Sequence, residues 1–157
     1  MMSGNACKTL KDATSIKRSR SNHSDAKMAI REISKSLDSK EAKLTILFIS
    51  KKYDTEKLGE LISQEMGKNV IACTTAGEIS SLGYETCSMS AVAFHGENFT
   101  STTIPIHELD SCSYSELEEL KKKLKEVKAS HHIELPHGKS FALLLIDGLC
   151  MKEELLG

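Results

Sequence analysis

Val70-Ile71-Ala72-Cys73-Thr74-Thr75-Ala76-Gly77-Glu78-Ile79-Ser80-Ser81 runs from apolar residues into two threonines, a glycine and a carboxylate. The apolar half predicts a buried strand. The polar half predicts a turn at its C-terminal end, where α/β sheets present ligand-facing groups. Upstream, residues 44–50 (Leu-Thr-Ile-Leu-Phe-Ile-Ser) form another nearly continuous apolar run, the pattern of a strand covered on both faces. Between the two, Asp54 offers an N-cap, Leu58, Leu61, Ile62 and Met66 make a helical stripe, and Gly67 supplies a stop. Strand, helix, strand over 44–75 is a βαβ unit, so the strands should be parallel, with Ser50 and Thr75 on one edge of the sheet.

The flanks extend this unit. Ser24-Asp25 caps a predicted helix whose stripe is Ala26, Ala29, Ile30, Ile33 and Leu37. Residues 85–94 alternate, with Cys87, Met89, Ala91 and Ala93 on one side, and 99–106 reads as the other arm of an antiparallel hairpin turning at His95-Gly96-Glu97-Asn98. A lysine-rich helix follows with Leu117, Leu120, Leu124 and Val127 inward, then a third apolar strand over 140–146 that ends in Asp147-Gly148. A last helix begins at Met151 and the sequence stops at Gly157. The expected fold is α/β: a single domain with a mixed parallel/antiparallel sheet flanked by helices, incomplete at its C-terminus. Residues 1–23, with Lys8, Lys11, Lys17, Arg18 and Arg20 against Asp12, read as a disordered basic tail, and 24–157 as the domain.

At 157 residues the chain suits one domain with a real core. Hydrophobic content of 39%, charged content of 27% and a net charge of −1 describe a soluble protein without the cationic field a polyanion requires, so nucleic acid is not suggested. The five cysteines are odd in number and contain no C-x-x-C pair, which fits a reducing, cytoplasmic setting better than a disulfide framework or structural zinc. No run approaches the roughly 18 apolar residues of a membrane span, and no apolar segment follows the basic N-terminus as in a secretory signal.

Phe48-Ile49-Ser50 with Tyr53-Asp54, Thr74-Thr75-Ala76-Gly77-Glu78-Ile79, and Leu145-Ile146-Asp147-Gly148-Leu149 with Glu153-Glu154 occur in the order that resembles the N-terminal half of the FIST domain, over residues 26–157. The resemblance implies an intracellular small-ligand sensor of signal transduction, working alone or with a signalling protein such as a kinase or cyclase. It also implies an amino-acid-like ligand, or, as in some relatives, haem and a response to nitric oxide. The chain departs from the family in stopping just after the Asp-Gly segment, so a pocket shared with later parts would be incomplete here.

The residues lead to the same place. If the strands ending at Thr75 and Ile146 are parallel, then Thr74, Thr75, Gly77, Glu78, Asp147 and Gly148 converge on one rim, where hydroxyls, carboxylates and backbone N–H groups suit a zwitterionic small molecule. Each alone has a plainer explanation: β-branched strand residues, a positive-φ glycine, a helix cap. Together they form the candidate ligand site. His131, His132 and His137, with His95 and His107, invite a haem or metal reading, but their spacing matches no metal motif and a solvated loop accounts for the cluster. Cys73 and Cys150 lie near strand ends, yet the glycine and histidine signatures of hydrolases, P-loops and dinucleotide folds are missing, so catalysis is not expected. The other functional class is a protein-interaction module that docks a partner through an edge strand or the 117–127 helix surface.

Overall fold

Asp25 starts the first helix, α1 (Ala26–Leu37), by accepting the Met28 amide on its carboxylate at 2.8 Å. Ala29, Ile30, Ile33 and Leu37 then fall on one buried stripe. Asp38 closes the helix from the left-handed region, φ 50, with its amide donating to the Ser34 carbonyl. The computed structural model describes residues 15–54, 56, 58–80, 83–85, 87–97, 99–105, 114–130 and 141–146.

A four-stranded sheet carries this helix. Its strands are β1 (Ser15–Ser21), β2 (Leu44–Ser50), β3 (Val70–Thr75) and β6 (Met89–His95), in the order β1-β6-β2-β3. β2 and β3 are parallel, from Thr45 opposite Val70 to Ser50 opposite Thr75, and α2 (Leu58–Met66) connects them. β6 runs antiparallel to both β2 and β1. The mixed α/β sheet is therefore the expected one, with Ser50 and Thr75 at one edge. Gly67, at φ +92, ends α2 as anticipated. A separate ribbon of β4 (Glu78–Ser80) and β5 (Gly83–Glu85) follows β3, with Gly83 at φ +103.

Pleating sorts the sheet residues by face. Leu47 and Ile49 of β2 with Met89, Ala91 and Ala93 of β6 join the α1 stripe and Leu58, Ile62 and Met66 of α2 in one core. Each fully buried aliphatic side chain there contributes about 1.5–3 kcal/mol relative to exposure. Arg31 Nε to Glu65 Oε1, 2.8 Å, ties the two helices at the surface.

Several expectations are corrected. Ser15–Ser21, read as part of a disordered tail, is an edge strand; only Ser21 in it is buried, so backbone pairing rather than hydropathy makes it a strand. The 85–94 strand is broken at Cys87, whose φ of 62 separates β5 from β6. The hairpin expected with 99–106 does not form over the described residues 99–105, because β1 and β2 occupy both edges of β6. Phe99 instead stacks on Phe94 with ring centroids 5.2 Å apart, and Ser101 Oγ donates to the Lys43 carbonyl at 2.8 Å. Asp54 accepts the Glu56 amide at 3.1 Å in a local turn, while α2 begins at Leu58.

The chain divides into two compact units at Ser101 and Thr102. In the second, α3 (Tyr114–Ser130) has Leu120 and Val127 half-buried and Leu124 47% exposed, with Lys121 paired to Glu118 at 3.0 Å. Residues 141–146, expected as a third strand, carry no regular secondary structure, and Phe141, Leu143, Leu144 and Leu145 are exposed. Apolar composition alone does not make a strand without a ladder to complete. Asp147, Gly148 and the helix expected from Met151 lie outside the described residues.

Candidate functional site

The C-terminal ends of β2 and β3 and the start of β6 meet at one edge of the sheet, since β6 runs against the other two. Ser50 is its hub. Its amide donates to the Ser88 carbonyl at 3.0 Å and its carbonyl accepts from the Tyr53 amide at 3.2 Å. Its hydroxyl accepts the amides of Cys87, at 3.3 Å, and of Lys52, at 3.5 Å. One small side chain at the end of an apolar strand thus fixes two incoming loops, and a larger or apolar residue would leave two amides unsatisfied.

Tyr53, 8% exposed, closes the other side. Its hydroxyl donates to the His23 carbonyl at 2.7 Å and lies 3.3 Å from that of Cys87. Cys87 is therefore held on both its N–H and C=O, which sustains a left-handed conformation that side chains other than glycine rarely adopt. The Cys87 side chain in turn holds the exposed Lys52 ammonium above its ordinary pKa, first by a hydrogen bond and then by charge. On β3, half-buried Cys73 has its thiol pKa pushed up by burial, which disfavours the thiolate.

The structure brings together part of the set expected from sequence. Thr75 pairs with Ser50 and is half-buried; Thr74 pairs with Ile49 and is exposed. The pleat sends these threonines to opposite faces of the sheet, so only Thr75 shares a face with Ser50. Gly77 is half-buried in the two-residue link to β4, and Glu78 opens β4 opposite Glu85. Asp147 and Gly148 lie outside the described residues, as do His107, His131, His132 and His137. The two described histidines take structural contacts: His95 Nε2 lies 2.9 Å from the Leu37 carbonyl at the end of α1, and His23 Nδ1 accepts the Asp25 amide at 3.1 Å. Among the described residues no cluster of three metal-ligating side chains occurs. Sequence reading missed Ser50, Lys52 and Cys87 as neighbours. The available signal was the lone serine closing an apolar run; nothing in the sequence placed Cys87 against it.

No helix among the described residues is long and apolar enough to cross a membrane. No curated protein and no solved structure matches the chain. The model of the FIST N domain matches residues 43–156, a span that begins with β2, takes in the whole edge just described and covers well over half of the sequence. The chain belongs to the FIST N domain family, the sensory domains of signal transduction.

Proposed function

We propose that this chain serves as a non-catalytic, cytoplasmic small-ligand sensor that takes an amino-acid-like molecule at the C-terminal edge of β2 and β3. The observation supporting this is the pairing of Ser50 with Thr75 at the end of the parallel pair, directly before the Ala76-Gly77 link. Hydroxyls and turn amides there would receive a ligand carboxylate, and an acidic side chain would receive its ammonium. Thr74, Thr75, Gly77 and Glu78 are the proposed contacts. Binding would shift the balance between two arrangements of the protein, and a signalling partner such as a kinase or cyclase would read the shift.

Thermal melts of the full-length protein with individual amino acids test this. A ligand at about 100 times its Kd adds about 2.7 kcal/mol of stability, and Thr75→Val should diminish that gain. Absence of any shift across the amino acids, or an undiminished shift in the variant, would sink the reading. A hemin titration followed at the Soret band decides the haem and nitric oxide alternative.

One observation favours a second reading, a protein-interaction module. Phe141, Leu143 and Leu144 are 76%, 57% and 48% exposed, an apolar stretch of the kind that marks protein contacts. Under that reading, capture of a signalling partner would depend on these side chains and no amino acid would change the melt.

A further inference from the structure

Two serines of the sheet each keep a hydroxyl proton that nothing among the described residues accepts. Ser50, 4% exposed at the end of β2, receives the Cys87 amide at 3.3 Å and the Lys52 amide at 3.5 Å on its Oγ. Those bonds occupy both acceptor positions of a hydroxyl and leave its single O–H to donate. Ser90, on β6, has a buried Oγ with no hydrogen-bond partner. A hydroxyl kept from water in that way is destabilising unless something else satisfies it.

The register sets the two serines side by side. Phe48 lies opposite Ser90, and the Ser50 amide bonds the Ser88 carbonyl at 3.0 Å, so Ser50 and Ser90 are diagonal neighbours across β2 and β6. Pleating puts both on the face opposite Leu47, Ile49, Met89 and Ala91, away from the core. Thr75, paired with Ser50, shares that face, as does Arg20, which stands opposite Ser90 on β1. Thr45 is the contrast. Its unpaired hydroxyl is on the core side, where the residues opposite it, Val70 and Ala93, are both aliphatic.

Diagonal positions in a sheet are about 7–8 Å apart, their Cβ atoms somewhat less. Two donors at that spacing, with an arginine opposite one of them, suit a negative group that carries two acceptor oxygens, each taking a hydrogen bond of about 2.7 Å. We propose, resting on the reading of this edge as an amino-acid site, that the Ser50 and Ser90 hydroxyls together donate to the ligand's carboxylate. Binding satisfies both hydroxyls at once, so the carboxylate end of the molecule carries recognition on this face. Ser90 is then a binding residue outside the β3–β4 link, two strands away from Thr75.

Thermal melts of the full-length protein with each of the twenty amino acids, and with the α-carboxamide of every one that shifts the melt, test this. Ser90→Ala should weaken the effective amino acid about tenfold, the range of one hydrogen bond to a charged group, without lowering the ligand-free melting temperature. Ser90→Thr, which keeps the donor, should bind as the wild type does, and the carboxamides should be at least about tenfold weaker than the acids. Unchanged affinity in Ser90→Ala overturns the proposal and means that the hydroxyl meets water only; a loss in Thr75→Val beside it would leave the wider reading of the edge standing. Equal binding of acid and carboxamide, or a ligand-free Ser90→Ala protein that melts several degrees lower, also overturns it. Absence of a shift with every amino acid removes both the wider reading and this one.

Discussion

Tyr53 and Thr45 show how a hydroxyl can have opposite value in a strand and in the loop that leaves it. The Tyr53 hydroxyl donates to the His23 carbonyl at 2.7 Å and so ties the chain entering α1 to the loop that leaves β2. Tyr53→Phe removes that bond and leaves a carbonyl with poorer satisfaction, at an expected cost of about 1 kcal/mol in urea unfolding. An unchanged midpoint would mean that water replaces the phenol without loss. Thr45, fully buried on β2, has a hydroxyl with no hydrogen-bond partner among the described residues. Thr45→Val keeps the shape and the β-branching while removing the unpaired group, so the same measurement should show a gain of about 1 kcal/mol. A loss would reveal a partner for the hydroxyl in solution.

At the scale of the element, β1 is the informative case. The Lys17 ammonium, by hydrogen bond and then by charge, holds the Asp38 carboxyl below its ordinary value of 3.8. A depressed carboxylate contributes stability that is present above the unfolded-state pKa and lost as pH falls through the lower folded-state value. Hydrogen exchange at the β1 amides should therefore quicken relative to β2 as pH drops below 3.8, after correction for intrinsic rates, and Lys17→Ala should abolish the difference. Equal behaviour of the two chains would show that the ladder alone holds the strand. The same element marks the limit of sequence reading. α1, the parallel pair and the Ser50–Thr75 edge were legible because buried side chains repeat at helical or strand spacing and Asp25 and Gly67 sit at the ends. β1 was not, since Ser-Ile-Lys-Arg-Ser-Arg-Ser has no apolar period and its stabilisation is in main-chain bonds. Residues 141–146 erred the other way: a strand-like composition was read as a strand, but pairing is a tertiary property. The candidate site was half legible for a related reason. Its strand end lies in local sequence, whereas the approach of Cys87 to Ser50 depends on a left-handed residue and on the antiparallel return of β6.

For the whole molecule, the question is what the exposed apolar side chains of the second unit do. Among the described residues the buried hydrophobic cluster runs from Ala29 to Ala93, within the unit that ends at Ser101. In the second unit Phe141 and Leu143 are 76% and 57% exposed. Replacing both by serine removes apolar surface from water without opening a cavity, so the main thermal transition should stay within the range of ordinary surface substitutions, about 0.5 kcal/mol. Binding of a hydrophobic dye and association through this stretch should fall together. A large fall in the melting temperature would instead mean that Phe141 and Leu143 are buried in solution, and that the apolar stretch is part of a core rather than a surface offered to a partner.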